Sequence, residues 1–240
     1  MAGLPSTSAC VTVIASTLEG GRMELEFNER KRPIFKRTVA STVFIAVRAK
    51  NGKDWRGAGV IVSRRGHIIT AAHLLDGAAS IKVTRCRLRA ASWDIIEGAG
   101  SYDADVVENA VDGDVALIKL RRPPAGLIPM RFGDSNRIKI ASPIYRVGND
   151  DQAPHLMTGH VIATGWHKGY PEFVVSMPSD KGCSGGPLCD DKCRLVGIAL
   201  RVVSRERVPD AVFALPSNAI GNEILEPHGL RPLMPIMGTW

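Results

Sequence analysis

The sequence predicts an all-β protein folded as two small barrels with a short C-terminal helix, on three observations. Short β-branched segments punctuated by turn residues begin near Val39. Pro123-Pro124 and the loose stretch to Asn136 interrupt them midway, and segments of the same style then resume as far as Leu215. The 240 residues suffice for one large core or two small ones.

Taken in order, residues 1–37 say least: 11–14 reads as a short strand and 30–37 as a basic, proline-interrupted connector. Strands are predicted at 43–47, 60–62, 67–70, 81–83, 85–90, 106–110 and 115–120, with turns at Asn51-Gly52 and Arg65-Gly66. The second half offers 144–147, 160–163, 173–177, 195–203 and 212–215, and no exact repeat relates it to the first. Ser217, after Pro216, reads as the cap of a closing helix to about Glu226. The expected organisation is an extension (1–37), a first barrel (about 38–122), a second barrel (about 138–216), the helix (217–226) and an irregular tail (227–240).

Apolar residues are 45% and charged residues 23%, as in soluble globular proteins. The formal net charge of +7 is spread over small groups such as Arg64-Arg65 and Arg85/Arg87/Arg89, without interleaved aromatics. Solvated loops and strand edges explain that pattern, and a nucleic-acid partner is not expected. No apolar run approaches the ~20 residues of a membrane span, and no basic segment leads an apolar one at the start, so neither a membrane nor an export leader is expected. Five cysteines, an odd number without a framework, fit reduced thiols in the cytoplasm. Cys189 and Cys193 flank a hairpin tip where a local disulfide is an open alternative. Two cysteines with no histidine nearby make a poor zinc site, so no metal and no cofactor are expected.

Ser184 lies in Gly182-Cys183-Ser184-Gly185-Gly186-Pro187. A serine hydroxyl becomes nucleophilic only beside a base, and acyl transfer also needs donors for the developing oxyanion. Gly182 frees the backbone to turn an amide inward, and Gly185-Gly186 permits close approach. Alone, the string is an ordinary glycine-rich turn. A base is offered by His73, where the apolar strand 67–70 runs into Ala71-Ala72 and the small alanines let the imidazole lean towards a cleft. His67 reads as half-exposed, and the other histidines lack context. An orienting acid is offered by Asp114, which enters Val115-Ala116-Leu117-Ile118, because a carboxylate buried there needs a partner. Asp112 is better explained by a solvated turn.

The chain order His73, Asp114, Ser184 and four strings carry a resemblance. The strings are Gly57-Ala58-Gly59-Val60-Ile61-Val62 leading to Thr70-Ala71-Ala72-His73; Asp114-Val115-Ala116-Leu117-Ile118; the Ser184 motif; and Phe213-Ala214-Leu215-Pro216-Ser217-Asn218. Over residues 38–226 the sequence resembles trypsin-like serine peptidases, and among them the HtrA (Deg) type without its peptide-binding PDZ domain. The resemblance implies two six-stranded antiparallel barrels with the active site between them. It further implies a Ser184–His73–Asp114 triad, an oxyanion hole from the Gly182 and Ser184 amides, and a protein or peptide substrate. Pro178 and Ser179 would form one side of the primary pocket, and Ala199, Leu200, Arg201 and Val202 the opposing, strand-like wall. With no carboxylate at Pro178 and no histidine in that wall, small or medium apolar residues are expected before the cut; Asp180, near the rim, is the carboxylate that could select a base instead. Cys183 stands where trypsin-type zymogens keep an aspartate for a new N-terminal amine, so activity without proteolytic activation is expected. Two other readings are a catalytically silent scaffold and a viral polyprotein-processing protease. A thiol nucleophile at Cys183 is disfavoured because Ser184, not Cys183, directly precedes the paired glycines.

Overall fold

The computed structural model describes residues 21–88, 95–110, 112–149, 154–179, 182–205 and 208–232. Among them, six strands close a first barrel: β1 (Thr42–Ala49), β2 (Asp54–Ile61), β3 (His67–Ala71), β4 (Ala78–Leu88), β5 (Ile95–Ala110) and β6 (Val115–Leu120). Around the ring their order is β1-β2-β3-β6-β5-β4. The second barrel comprises β7 (Pro143–Asn149), β8 (Pro154–His167), β9 (Tyr170–Ser176), β10 (Pro187–Cys189), β11 (Leu195–Arg205) and β12 (Val208–Pro216). Its order, β7-β8-β9-β12-β11-β10, repeats the first, and all pairings are antiparallel. The expected architecture is therefore the observed one.

Strand periodicity explains how each barrel fills. In β1, Val43, Ile45 and Val47 point inward while Ala46 and Arg48 face solvent. β6 is apolar on consecutive residues because both faces are covered. Ala116 and Ile118 fill the first barrel, and Val115 and Leu117 join a separate apolar cluster between the barrels. That cluster also holds Leu74, Phe132, Leu195, Leu200 and Leu215, and Ile220, Ile224 and Leu225 from the C-terminal segment. The connector is strapped down as well: Met130 N–H donates to Ile61 and Leu195 N–H to Arg131.

Several expectations are corrected. Residues 30–37 are not a connector but part of α1 (Gly21–Ser41), so the boundary at 37/38 falls inside a helix. Pro33 lacks an N–H and made the stretch read as broken. Tertiary packing outweighs that loss: Ile34 and Val39 are buried, and Phe35 lies in a cluster with Phe44 and Val147. The predicted strands 81–83 and 85–90 are one strand, β4, as far as Leu88. β10, three residues long, was not anticipated. The helix α2 (Ser217–Ile220) continues as a π turn (Gly221–Leu225) and a 3-10 turn (Glu226–His228). Ser217 is not its cap. Its hydroxyl donates to the Gly133 carbonyl at 2.9 Å, and the Ser135 hydroxyl accepts from Asn218 N–H instead.

His67 is buried rather than half-exposed, its Nδ1 2.7 Å from Ser63 Oγ. Arg85, expected in solvent, is buried with its guanidinium donating to the Gly126 carbonyl. Cys189 and Cys193 are both free thiols. Among the described residues no helix is long and apolar enough to cross a membrane. The short strand expected at 11–14, the end of the strand at 89–90 and the tail from 233 lie outside the described residues.

Candidate active site

β3 ends at Ala71, and a 3-10 turn (Ala72–Leu75) carries His73 into the groove between the barrels while Leu74 and Leu75 are buried beneath it. Asp114 arrives from the β5–β6 turn in the left-handed region, at φ 51°. The two residues are tied three ways. Ala72 N–H donates to the Asp114 carbonyl at 3.0 Å, and His73 N–H donates to Asp114 Oδ1 at 2.9 Å. The ring nitrogen Nδ1 lies 2.9 and 3.0 Å from the two carboxylate oxygens. A carboxylate only accepts, so Nδ1 carries the proton and Nε2 is left to accept one. The acid is less shielded than expected: the side chains of His73 and Asp114 are 45% and 33% exposed.

Ser184 enters from the second barrel, on the connection between β9 and β10. Gly182 and Gly185 adopt φ of 87° and 82°, which glycine reaches without penalty. A side chain at Gly185 would also collide with Thr70 and the Ala58 carbonyl, so the turn sits directly on the first barrel beside the strand that leads to His73. Ala58 N–H donates to the Ser184 carbonyl at 2.8 Å. On the other side, Gly185 N–H donates to the Ala199 carbonyl, and Ala199 N–H to that of Gly186. Among the described residues the N–H groups of Gly182 and Ser184 have no acceptor, and the Ser184 hydroxyl makes no hydrogen bond to His73. Such contacts are often long without substrate. The Cys183 side chain is buried.

The walls differ in detail from expectation. Ala199 is buried with both backbone groups committed to the serine turn, which leaves Leu200, Arg201 and Val202 as the available edge. A register shift between Ala199 and Arg201 marks a bulge at Leu200, and bulges re-aim side chains. Leu200 and Arg201 accordingly line a cleft of about 430 Å³ together with His73, Asp112, Asp114 and Tyr170. Arg201 is oriented by Glu172 at 2.9 Å and lies 4.3 Å over the Phe213 ring. Pro178 and Ser179, expected as the facing side of the pocket, do not line this cleft: the Pro178 carbonyl accepts from the fully buried Arg146 at 3.0 Å, and Ser179 N–H donates to Asp210 Oδ2, also at 3.0 Å. Sequence reasoning missed Arg146, Asp210, Glu172 and Tyr170. Only Arg146 left a signal: it shares the inward phase of β7 with Ile144. Among the described residues no cluster of histidine, cysteine and acidic side chains could hold a metal.

The model of the trypsin-like peptidase domain matches residues 57–198, a span that holds His73, Asp114 and Ser184. The chain belongs to that family. It is 27% identical over 176 residues to Protease Do-like 1, chloroplastic, of Arabidopsis thaliana, covering 69% of this chain and 37% of that protein. It is 25% identical over 174 residues to the periplasmic serine endoprotease DegP of Salmonella typhimurium, covering 69% and 34%. The chain thus spans little more than a third of these relatives. In fold it is similar to the HtrA-type protease AlgW with tripeptide (TM-score 0.67, 21% identity, 83% of this chain and 64% of that one). It is likewise similar to Deg5 (TM-score 0.65, 23% identity, 83% and 94%).

Proposed function

We propose that this trypsin-like peptidase domain is a serine endopeptidase using Ser184, His73 and Asp114. The observation that carries the reading is the His73–Asp114 pair, which fixes the tautomer with Nε2 free, at the groove where the serine turn docks. Ser184 Oγ attacks the scissile carbonyl while His73 Nε2 takes its proton and then delivers it to the leaving amine. Asp114 holds the ring and stabilises the imidazolium. The unpartnered amides of Gly182 and Ser184 receive the oxyanion, each worth about 3 kcal/mol in the transition state. A tetrahedral intermediate collapses to an acyl-enzyme, which water opens by the same proton path.

The substrate is a protein or peptide laid along the edge that starts at Leu200, the strand-addition mode of capture. AlgW was solved with peptides, which supports the same class here. Leu200, Val202 and Pro178 favour a small or medium apolar residue before the cut, and Asp210 is already engaged by Ser179. The chain acts without trimming near residue 38. α1 runs through that position, and Thr38 and Val39 are wholly buried, so a new terminus there would have to be unwound from the fold.

A fluorophosphonate probe tests this directly. It should label the intact chain, with residues 1–37 still attached by mass, and should not label Ser184→Ala. No labelling removes the triad reading and favours a silent scaffold; labelling equal in Ser184→Ala removes it by placing the reactive nucleophile elsewhere. A peptide-library profile dominated by cleavage after Arg or Lys overturns the apolar preference and points to Asp180, which lies outside the described residues.

A further inference from the structure

β8 and β9 are joined by the two-residue turn Lys168-Gly169, with φ of 50° and 83° and the closing pair His167–Tyr170. Two positive φ values make a tight hairpin whose twist matches its strands. It reaches from the second barrel across the groove to the first. There the Tyr170 ring stands against buried Gly113: a methyl group on Gly113 would lie 3.1 Å from Cε1, 3.3 Å from Cζ and 3.4 Å from Cδ1. Tyr170 and Ala110 both pack on the inter-barrel cluster, so the β5–β6 turn is gripped where it delivers the acid.

The next residue is Asp114, whose left-handed backbone is uncommon for a residue with a side chain and is held by its surroundings. Two of its restraints come from the first barrel, the bonds from Ala72 N–H and His73 N–H. The third is Tyr170. We infer that Tyr170 is a positioning residue: pressed on Gly113 from the second barrel, it holds Asp114 in the conformation that aims its carboxylate at His73 Nδ1. This rests on the peptidase reading above. It makes alignment of the base depend on docking of the two barrels, although His73 and Asp114 both belong to the first. The contact uses ring atoms alone, so phenylalanine should serve as well as tyrosine.

The test compares wild type, Tyr170→Ala and Tyr170→Phe by steady-state cleavage and by proton NMR of the low-field resonance from the Nδ1–H to Asp114 hydrogen bond. Misplacement of an orienting group by about 1 Å costs up to about a hundredfold. Tyr170→Ala should therefore lose about ten- to a hundredfold in kcat with KM nearly constant, and should lose or shift the low-field resonance. Tyr170→Phe should keep both within about threefold of wild type. If Tyr170→Ala does not fold, Gly113→Ala strains the same contact from the other side and should reproduce the loss. Wild-type kcat and resonance in Tyr170→Ala, or in a folded Gly113→Ala when the former does not fold, overturn the inference. So does a Tyr170→Phe as impaired as the alanine variant. A wild type that neither cleaves nor takes the fluorophosphonate refutes the peptidase reading instead, and the NMR comparison still decides the role of Tyr170.

Discussion

The connection before β4 and the connection before β10 hold equivalent places in two barrels of one topology; the first carries His73 and the second Ser184. The strands they lead into close their barrels to very different extents. β4 seals the first barrel against β1 from Val43–Arg85 to Ala49–Ala78, whereas β10 meets β7 at the single pair Cys189–Tyr145. The first barrel is thus closed by its own ladder, and its imidazole–carboxylate pair hangs on finished backbone. The second has a short seam where the serine turn passes, and the turn is held from outside by Ala58 and from within by Ala199. The cores differ to match. Each buries an arginine that bonds a loop carbonyl, but Arg85 in the first barrel serves Gly126 of the connector, whereas the wholly buried Arg146 in the second serves Pro178 ahead of the serine. Both barrels accept a buried charge to fix a loop, and in the second that loop leads to the serine.

The largest effects should come from the residues that bridge the difference. Ser184→Ala and His73→Ala should each lower kcat by about 10⁶-fold, and Asp114→Asn, with the wrong tautomer at His73, by about 10⁴-fold, while the chain stays folded. Their effects should be strongly non-additive, because the three act as one unit. Near-normal turnover by any folded single variant removes that residue from the triad.

The barrels themselves should separate under a paired substitution. Ile118→Ala opens a cavity in the first core and should cost about 2–5 kcal/mol in urea unfolding, with kcat/KM of the surviving folded fraction nearly unchanged. Arg146→Met keeps the volume and removes a buried charge, but leaves the Pro178 carbonyl without that donor, a loss of about 1–3 kcal/mol. Its clearer signature should be in activity: about tenfold lower kcat/KM with altered preference before the cut. Equal activity losses from both variants would erase the distinction drawn between the barrels.

The parts of the molecule legible in its sequence are those whose signals are local. His73, Asp114 and Ser184 each sit in a short string that gains its meaning from the other two, and the structure brings the first two into contact. Most of the strands announced themselves by β-branched runs. β10 did not, because three residues after Gly185-Gly186 carry no periodicity. α1 was hidden by Pro33, since only packing on Phe44 and Val147 shows why the helix survives it. Asp210, Glu172 and Tyr170 belong to the site through cross-strand neighbours, which no spacing in the chain reveals. The two barrels share topology without sequence identity because closure needs inward alternation and not particular residues.

The smallest effect should belong to the first barrel's own buried titrating group, His67. Burial comes first in holding its pKa below the ordinary histidine value, followed by the positive charges of Lys119, Arg65 and His228; Ser63 bonds its Nδ1, and Glu108 faces it only through His228. The folded protein therefore prefers the neutral ring, and the unfolded chain binds a proton more readily. Where the unfolded state binds more protons, stability rises with pH. The contribution of His67 is thus complete above the unfolded-state value near 6.5 and is lost as pH falls from there through the lower folded-state value. Tm should drop by a few degrees between pH 7 and pH 5, and His67→Gln, which can still bond Ser63 but cannot titrate, should flatten that slope. Carboxylates ordinarily titrate below this window, so the histidines dominate it. If His67→Gln follows the wild-type curve, His67 is not the source of the acid sensitivity.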